Sequence, residues 1–452
     1  MYEKMFSPYP FAKFAVVENF FPTGYGFPSW TLIGGTVLRL PFITETSLGH
    51  EIAHSWWGNG VYVDYASGNW SEGLTTYVAD HLYKEQESTE AARKYRLKIL
   101  RDYAVLAAGG KGYPVIDFRS RKSAVDQAVG YGKVAMIFHM LRGRLGDDVF
   151  LDGLRHLTET RMGLTTSWQD VRSSFSTVSG QDLSVFFNQW LTRGQGPKLS
   201  LRNIESSKSE EGWTVSGTIV QEPPYYDLRV PLGLSTESDE ILSVHILKGR
   251  QADFRLKTKS APMALRLDPQ VRLFRELHPQ EVPPLVNTIR GSDDLLVVAA
   301  ESLSPKVSEA ALALVAALRH DVRTVPESQL APEMLDGRDI LFLGWPQRFA
   351  PGLPAGVNVE GNGFEHNGKF YSDAADALFA VFEHPRDQSR AAAVYLPMSA
   401  EAASRVNRKI PHYGKYSMLV FRDGENVVKE TWPTKPGPTL HFFDKEKTNA
   451  DR

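Results

Sequence analysis

The pattern of apolar and polar positions changes character twice along the chain. Residues 10 to 34 read as short extended segments: a strand around Phe14 to Val17, a Pro/Gly turn, and a second strand around Ser29 to Ile33. Helical periodicity then takes over. It predicts helices from Thr46 to Trp57, from about Ser71 to Glu87, and from Ala91 to Ala108, where AARKYRLKILRDYAVLAA separates an apolar face from a basic one. Ser71 stands where a helix cap belongs. Glu85, Glu87 and Glu90, with Lys84 and Arg93, read as a solvated face.

Between 198 and 275 the period shortens to that of strands, with WTVSGTIV, YDLRVPLGLST, EILSVHILKG and ADFRLKT separated by polar turns, the pattern of a small β-sandwich. The proline-rich PQEVPPLVN follows as a linker. Buried-strand runs such as DDLLVVAA, RDILFLGW and AAAVYLP then alternate with helical SEAALALVAALRH and AEAASRVNRKI, which argues an α/β domain with a mostly parallel sheet. No GxGxxG or phosphate-binding loop follows its first strand, so nucleotide binding has no support. The fold expected is multidomain α+β: a mainly helical domain over 1–196, a β-sandwich over 197–280, and an α/β domain over 286–452 with no assigned role. A chain of 452 residues is long enough for two to four domains.

The chemistry is concentrated in HEIAHSWWGNGVYVDYASGNWSE, residues 50 to 72. Residues four apart share a helix face, so His50 and His54 can offer two imidazoles to one cation while Glu51 flanks the open position. Composition alone would produce roughly 0.02 such HExxH motifs in this chain. Catalytic zinc usually takes three protein ligands, and Glu72, in the first turn of the next helix, is the candidate for the third.

The run HEIAHSWWGN…WSEGLTTY closely resembles the M1 family of zinc aminopeptidases, whose signature is HExxH, W-x-G-N and a ligand glutamate in W-x-N-E-G. Two departures stand out: 17 residues separate His54 from Glu72 where the family usually has 18, and Ser71 replaces the asparagine. The resemblance implies a thermolysin-like zinc peptidase domain holding one Zn2+ through His50, His54 and Glu72, with Glu51 as general base. It also matches AVGYGKVAM to the family's Y-E-K-G, which gives Tyr131 the role of oxyanion donor and makes Lys133 the family lysine, with Gly132 in place of the acidic residue. His81 and His139 read as structural histidines. The match continues through DLSVFFNQW to a Pro-containing boundary at Trp190 to Pro197, so it covers roughly residues 8 to 200.

One family element fits less well. The family's G-x-M-E-N strand carries a glutamate that binds the substrate α-amine; aligning its glycine with Gly26 puts Ser29 in that position, whereas Glu18-Asn19 offers a second register in the preceding strand. Three readings therefore stand: an M1-type aminopeptidase, a zinc endopeptidase without strict N-terminal specificity, and a non-catalytic M1-like scaffold that keeps its metal.

Composition narrows the partners. A net charge of -2 gives no electrostatic case for nucleic acid or an anionic membrane, and the resemblance implies a peptide or protein substrate. There is no cysteine, so thiolate ligands and disulfides are excluded. No apolar run reaches membrane-spanning length, and MYEKMFSPYPFAKF lacks a signal-peptide pattern. The family normally places a large β domain before this point, so the chain reads as a fragment, and any export signal would belong to the missing part. Compartment, oligomeric state and side-chain preference do not follow from the sequence.

Overall fold

The computed structural model describes residues 1–20, 24–39, 43, 47–107, 110–318, 321–360 and 363–443. Thr46 and Ala108, the expected ends of two helices, lie outside them. The chain divides into two units, Met1–His278 with Pro436–Arg452, and Pro279–Lys435.

The first unit opens on a three-stranded sheet. Trp30–Gly34 is the central strand, pairing parallel with Ala15–Asn19 and antiparallel with Gly24–Phe27. The residues read as a Pro/Gly turn thus include a third strand, because its two glycines can lie flat against the neighbouring helix. A helical body follows: Ser47–Ala53, then Ser71–Thr76 running through a π-helical stretch Tyr77–His81 into Leu82–Glu87, then Thr89–Leu106. A second π-helical stretch, Gln127–Lys133, leads into Val134–Leu145. Ser123 and Ser167 start later helices with reciprocal capping bonds to Asp126 and Asp170.

Two expectations about helix ends are corrected. The first regular helix stops at Ala53 rather than Trp57, since Gly58, at φ 111°, turns the chain back. Ser71 does not cap the second helix. It is the helix's first residue, and its backbone N–H and hydroxyl both donate to Asn69 Oδ1, at 3.0 and 2.9 Å. The body is knitted by buried Trp56, Trp57, Trp70, Phe138, Phe150 and Trp190. Gly73 has no room for a Cβ against Val134 and the Gly130 carbonyl, so its lack of side chain lets the Glu72 helix lie directly on the Tyr131 segment.

The unit continues as two antiparallel sheets. One orders Gln251–Thr258, Gly212–Gln221 and Leu199–Ser209; the other orders Leu440–Phe442, Pro262–Leu267, Leu228–Thr236 and Glu240–Leu247. Leu440–Phe442, grouped by the sequence pattern with the last domain, pairs here with Pro262–Leu267.

The second unit is built on a seven-stranded sheet that is mixed rather than mostly parallel. Thr324–Pro326, Leu295–Ala299, Asp339–Leu343 and Ala391–Pro397 run parallel, while Asp376–Glu383, Met418–Arg422 and Glu425–Glu430 are antiparallel. The short helix-free connection after Glu383 can close a hairpin but cannot make the crossover that a parallel neighbour needs. Helices Pro305–Ala317 and Ala400–Val406 cover one face, and Val357, Phe364 and Tyr371 of a small sheet pack on the other. Among the described residues no helix is long and apolar enough to cross a membrane.

Candidate metal centre and active site

The structure brings His50, His54 and Glu72 to one point. His50 Nε2 and His54 Nε2 are 3.2 Å apart, and Glu72 Oε2 lies 3.6 Å from the first and 3.3 Å from the second. Zinc holds nitrogen and oxygen ligands at about 2.0–2.2 Å, and tetrahedral geometry then separates any two of them by about 3.3 Å. The observed triangle therefore has the size of one face of a zinc site, and its two imidazoles and one carboxylate are the donor set that zinc takes. Among the described residues it is the one group of His, Cys, Asp and Glu close enough to share an ion.

The imidazoles are aimed from behind. Asp80 Oδ2 accepts from His50 Nδ1–H at 2.7 Å, and the Trp57 carbonyl accepts from His54 Nδ1–H at 2.8 Å. Neither oxygen can donate, so each Nδ1 keeps its proton and Nε2 is the nitrogen that turns to the shared centre. The ion-free electrostatics follow from this packing. Burial works to lower His50, yet Asp80 and then Glu72 push it up to about 10. Burial likewise works to raise Glu72, but hydrogen bonds from His50 and His54 hold it well below the usual carboxylate range.

Glu51 is buried beside them, and burial raises its carboxyl above the ordinary value while His54 and His50 pull the other way. Strand Gly24–Phe27 backs it. A Cβ on Gly24 would stand 2.8 Å from Glu51 Oε1, and one on Gly26 would stand 2.7 Å from Oε2 and 3.3 Å from His54 Cβ. Tyr131, in its π-helical stretch, lies parallel to the His50 ring at a centroid distance of 6.4 Å and an angle of 13°. Burial, reinforced by the Glu72 carboxylate, raises its hydroxyl far above the ordinary tyrosine value, so it stays a donor at any working pH. Lys133 is turned away. It is fully buried and its Nζ donates to the carbonyls of Arg193, Gly194 and Gln195.

Neither register for an amine anchor brings a carboxylate to this centre. Ser29 sits at the hairpin turn, at φ 69°. Glu18 is on the far strand, half-exposed, and is bound 2.6 Å from Arg39. His81 and His139 stay outside the triangle. His81 Nε2 accepts from Arg96 at 2.7 Å, and His139 Nδ1 pairs with the Tyr77 hydroxyl at 3.2 Å.

Sequence reasoning missed Asp80. Eight residues after Glu72, it would stand off the shared face of an ideal α-helix, but the π-helical stretch takes up an extra residue and restores it to that face. An acidic residue two turns beyond a ligand was the available signal.

Comparison with known proteins agrees with this geometry. Residues 43–190 match the profile of the peptidase family M1 domain. The chain is 23% identical over 272 residues to the alanine/arginine aminopeptidase of Saccharomyces cerevisiae, which covers 56% of this chain and 31% of that protein. It is 25% identical over 227 residues to aminopeptidase 2 of Candida albicans, covering 48% and 24%. To aminopeptidase N of Homo sapiens it is 31% identical over 184 residues, covering 37% and 19%. The chain thus spans less than a third of the length of these relatives. Residues 43–190, which contain His50, Glu51, His54, Glu72 and Tyr131, are thus the part of the chain that matches the peptidase family M1 domain.

Proposed function

We propose that the protein is a zinc-dependent peptidase in which His50, His54 and Glu72 hold one ion. The observation that carries this reading is the 3.2–3.6 Å triangle of His50 Nε2, His54 Nε2 and Glu72 Oε2, with Glu51 buried next to it. A zinc ion held there would polarise the scissile carbonyl and make water acidic enough to be used near neutrality. Glu51, its carboxyl raised by burial, takes the proton of the attacking water and returns it to the leaving amine. Tyr131 donates a hydrogen bond from its hydroxyl to the oxygen on which negative charge develops. Asp80 and the Trp57 carbonyl keep the two imidazoles in register.

Aminopeptidase activity is the first form of this reading, because the relatives that match are aminopeptidases. One observation favours a broader peptidase: Glu18 is engaged by Arg39 and Ser29 carries no charge, so no carboxylate of that strand pair is free for an α-ammonium. A non-catalytic scaffold has no use for a buried Glu51 or an oxyanion donor.

The deciding experiment replaces Glu51 by Gln. Zinc binding should persist and hydrolysis of a peptide library should fall by at least about a thousandfold, the scale of losing a general base together with its positioning; an unchanged rate removes the peptidase reading. Running free and N-acetylated peptides side by side separates the two forms. A strict requirement for the free amine supports the aminopeptidase.

A further inference from the structure

The first unit contains a second cavity, of about 380 Å³, none of whose lining residues belongs to the metal centre. Its volume falls within the range of small-ligand sites. One wall is apolar, built from Phe186 and Trp190 on helix Ser184–Thr192 with Leu228, Pro231 and Val244 on two strands. The other is lined with arginines.

Two of these arginines are spent within the fold. Arg142 binds both carboxylates on that side, Glu85 at 2.9 Å and Asp147 at 2.8 Å. Buried Arg96 donates to the carbonyls of Gln270 and Val271 and to His81. Three others, Arg144, Arg229 and Arg272, are exposed, line the same cavity and form no ion pair among the described residues. Asp227 is the lining carboxylate that no arginine holds. The cavity therefore carries a surplus of positive charge. The same field acts on His139 in its lining, which burial and then the nearby Arg96, Arg142 and Arg272 keep neutral, well below the ordinary histidine value.

The lining holds five arginines against three carboxylates, so guanidinium charge is left over for an anion, and planar guanidinium donor forks match a carboxylate or a phosphate. An apolar wall facing such a cluster fits a molecule with one anionic end and one apolar body. We propose that this cavity binds a small organic oxyanion, a carboxylate or phosphate carried on an apolar or aromatic group, through Arg229, Arg272 and Arg144 with its body against Trp190 and Phe186.

The test is isothermal titration of the whole chain with phenyl phosphate and with phenylacetate, against inorganic phosphate and benzyl alcohol as the two halves of the ligand. At least one aromatic anion should bind one to one with a Kd below about 1 mM, and roughly tenfold tighter than either half. Preference for phenyl phosphate or for phenylacetate identifies the anionic group. The Arg229→Gln/Arg272→Gln double variant should melt like the parent and lose about tenfold in affinity. If it melts early, the two single variants replace it, each expected to lose about threefold. Both titrations are repeated after zinc is stripped, because an anion on the metal would lose its site and one in this cavity would not. Failure of both aromatic anions to bind with a Kd below about 1 mM overturns the proposal. So does affinity that is unchanged in the variants, is matched by either half-ligand, or disappears with the metal.

Discussion

Asp80 Oδ2 stands 2.7 Å from His50 Nδ1, on the side of the imidazole away from the shared centre. This contact fixes the tautomer and the plane of the ring and makes Nε2 more basic, so under the proposed function it would act on the metal through the ligand. An oxygen that accepts a proton from a ligating imidazole typically contributes 10- to 100-fold in metal affinity. Asp80→Ala should weaken zinc binding by about that factor, measured by competition with a chromogenic chelator, and should make activity recoverable by excess zinc. Unchanged affinity would show that the His54 and Glu72 geometry alone sets the site.

Tyr131 is placed differently: its ring lies along His50, and in the proposed mechanism its hydroxyl serves charge that forms only during reaction. Its loss should therefore appear in kcat. Tyr131→Phe is expected to lower kcat by about 10²- to 10³-fold with little change in KM and with full zinc content. A matching fall in zinc occupancy would instead mark Tyr131 as a packing partner of His50.

The residues of the triangle were legible because their relation is local. His50 and His54 are four apart in one helix, and Glu72 opens the next. What shaped the surroundings was not local. The π-helical stretches that place Asp80 and carry Tyr131 are hard to read from apolar periodicity, because each is a single short interruption between turns that keep the ordinary helical period. Asn69, not Ser71, serves the start of the Glu72 helix, since Ser71 is drawn into the core at the first helical position. Leu440–Phe442 returns to a sheet formed nearly two hundred residues earlier, a pairing that no short window can show.

Lys133 offers a test of stability that leaves the centre untouched. Burial pushes its ammonium down to about 7, although Glu276 acts to raise it. In the unfolded chain the pKa is near 10.4, so between about pH 7 and 10 the unfolded state holds the extra proton. Stability from this group therefore rises as pH climbs through that window, by up to about 1.4 kcal/mol per pH unit. Urea denaturation at intervals from pH 6.5 to 9.5, roughly spanning the window, should show a positive slope in the parent and a flatter one in Lys133→Met. The variant also leaves three backbone carbonyls short of a donor and should lose about 1–3 kcal/mol near pH 9. Equal slopes in the two proteins would mean that Lys133 stays charged throughout.

Gly26 tests the support behind the proposed general base. A methyl group there would sit 2.7 Å from Glu51 Oε2, inside van der Waals contact, but only 3.3 Å from His54 Cβ, where a shift of a few tenths of an ångström suffices. The flexible end of Glu51 therefore yields before His54 does. Displacement of a reacting group by about 1 Å can cost on the order of 10²-fold in rate. Gly26→Ala should accordingly lower kcat by roughly 10- to 100-fold while zinc affinity changes by less than about threefold. Gly24→Ala, with its Cβ 2.8 Å from Glu51 Oε1 and its three nearest atoms all on Glu51, should lower kcat in the same way and leave zinc affinity unchanged. If both variants keep the parental rate with full zinc, Glu51 does not depend on this strand for its position. If zinc is lost before activity per bound ion, the strand supports His54 instead.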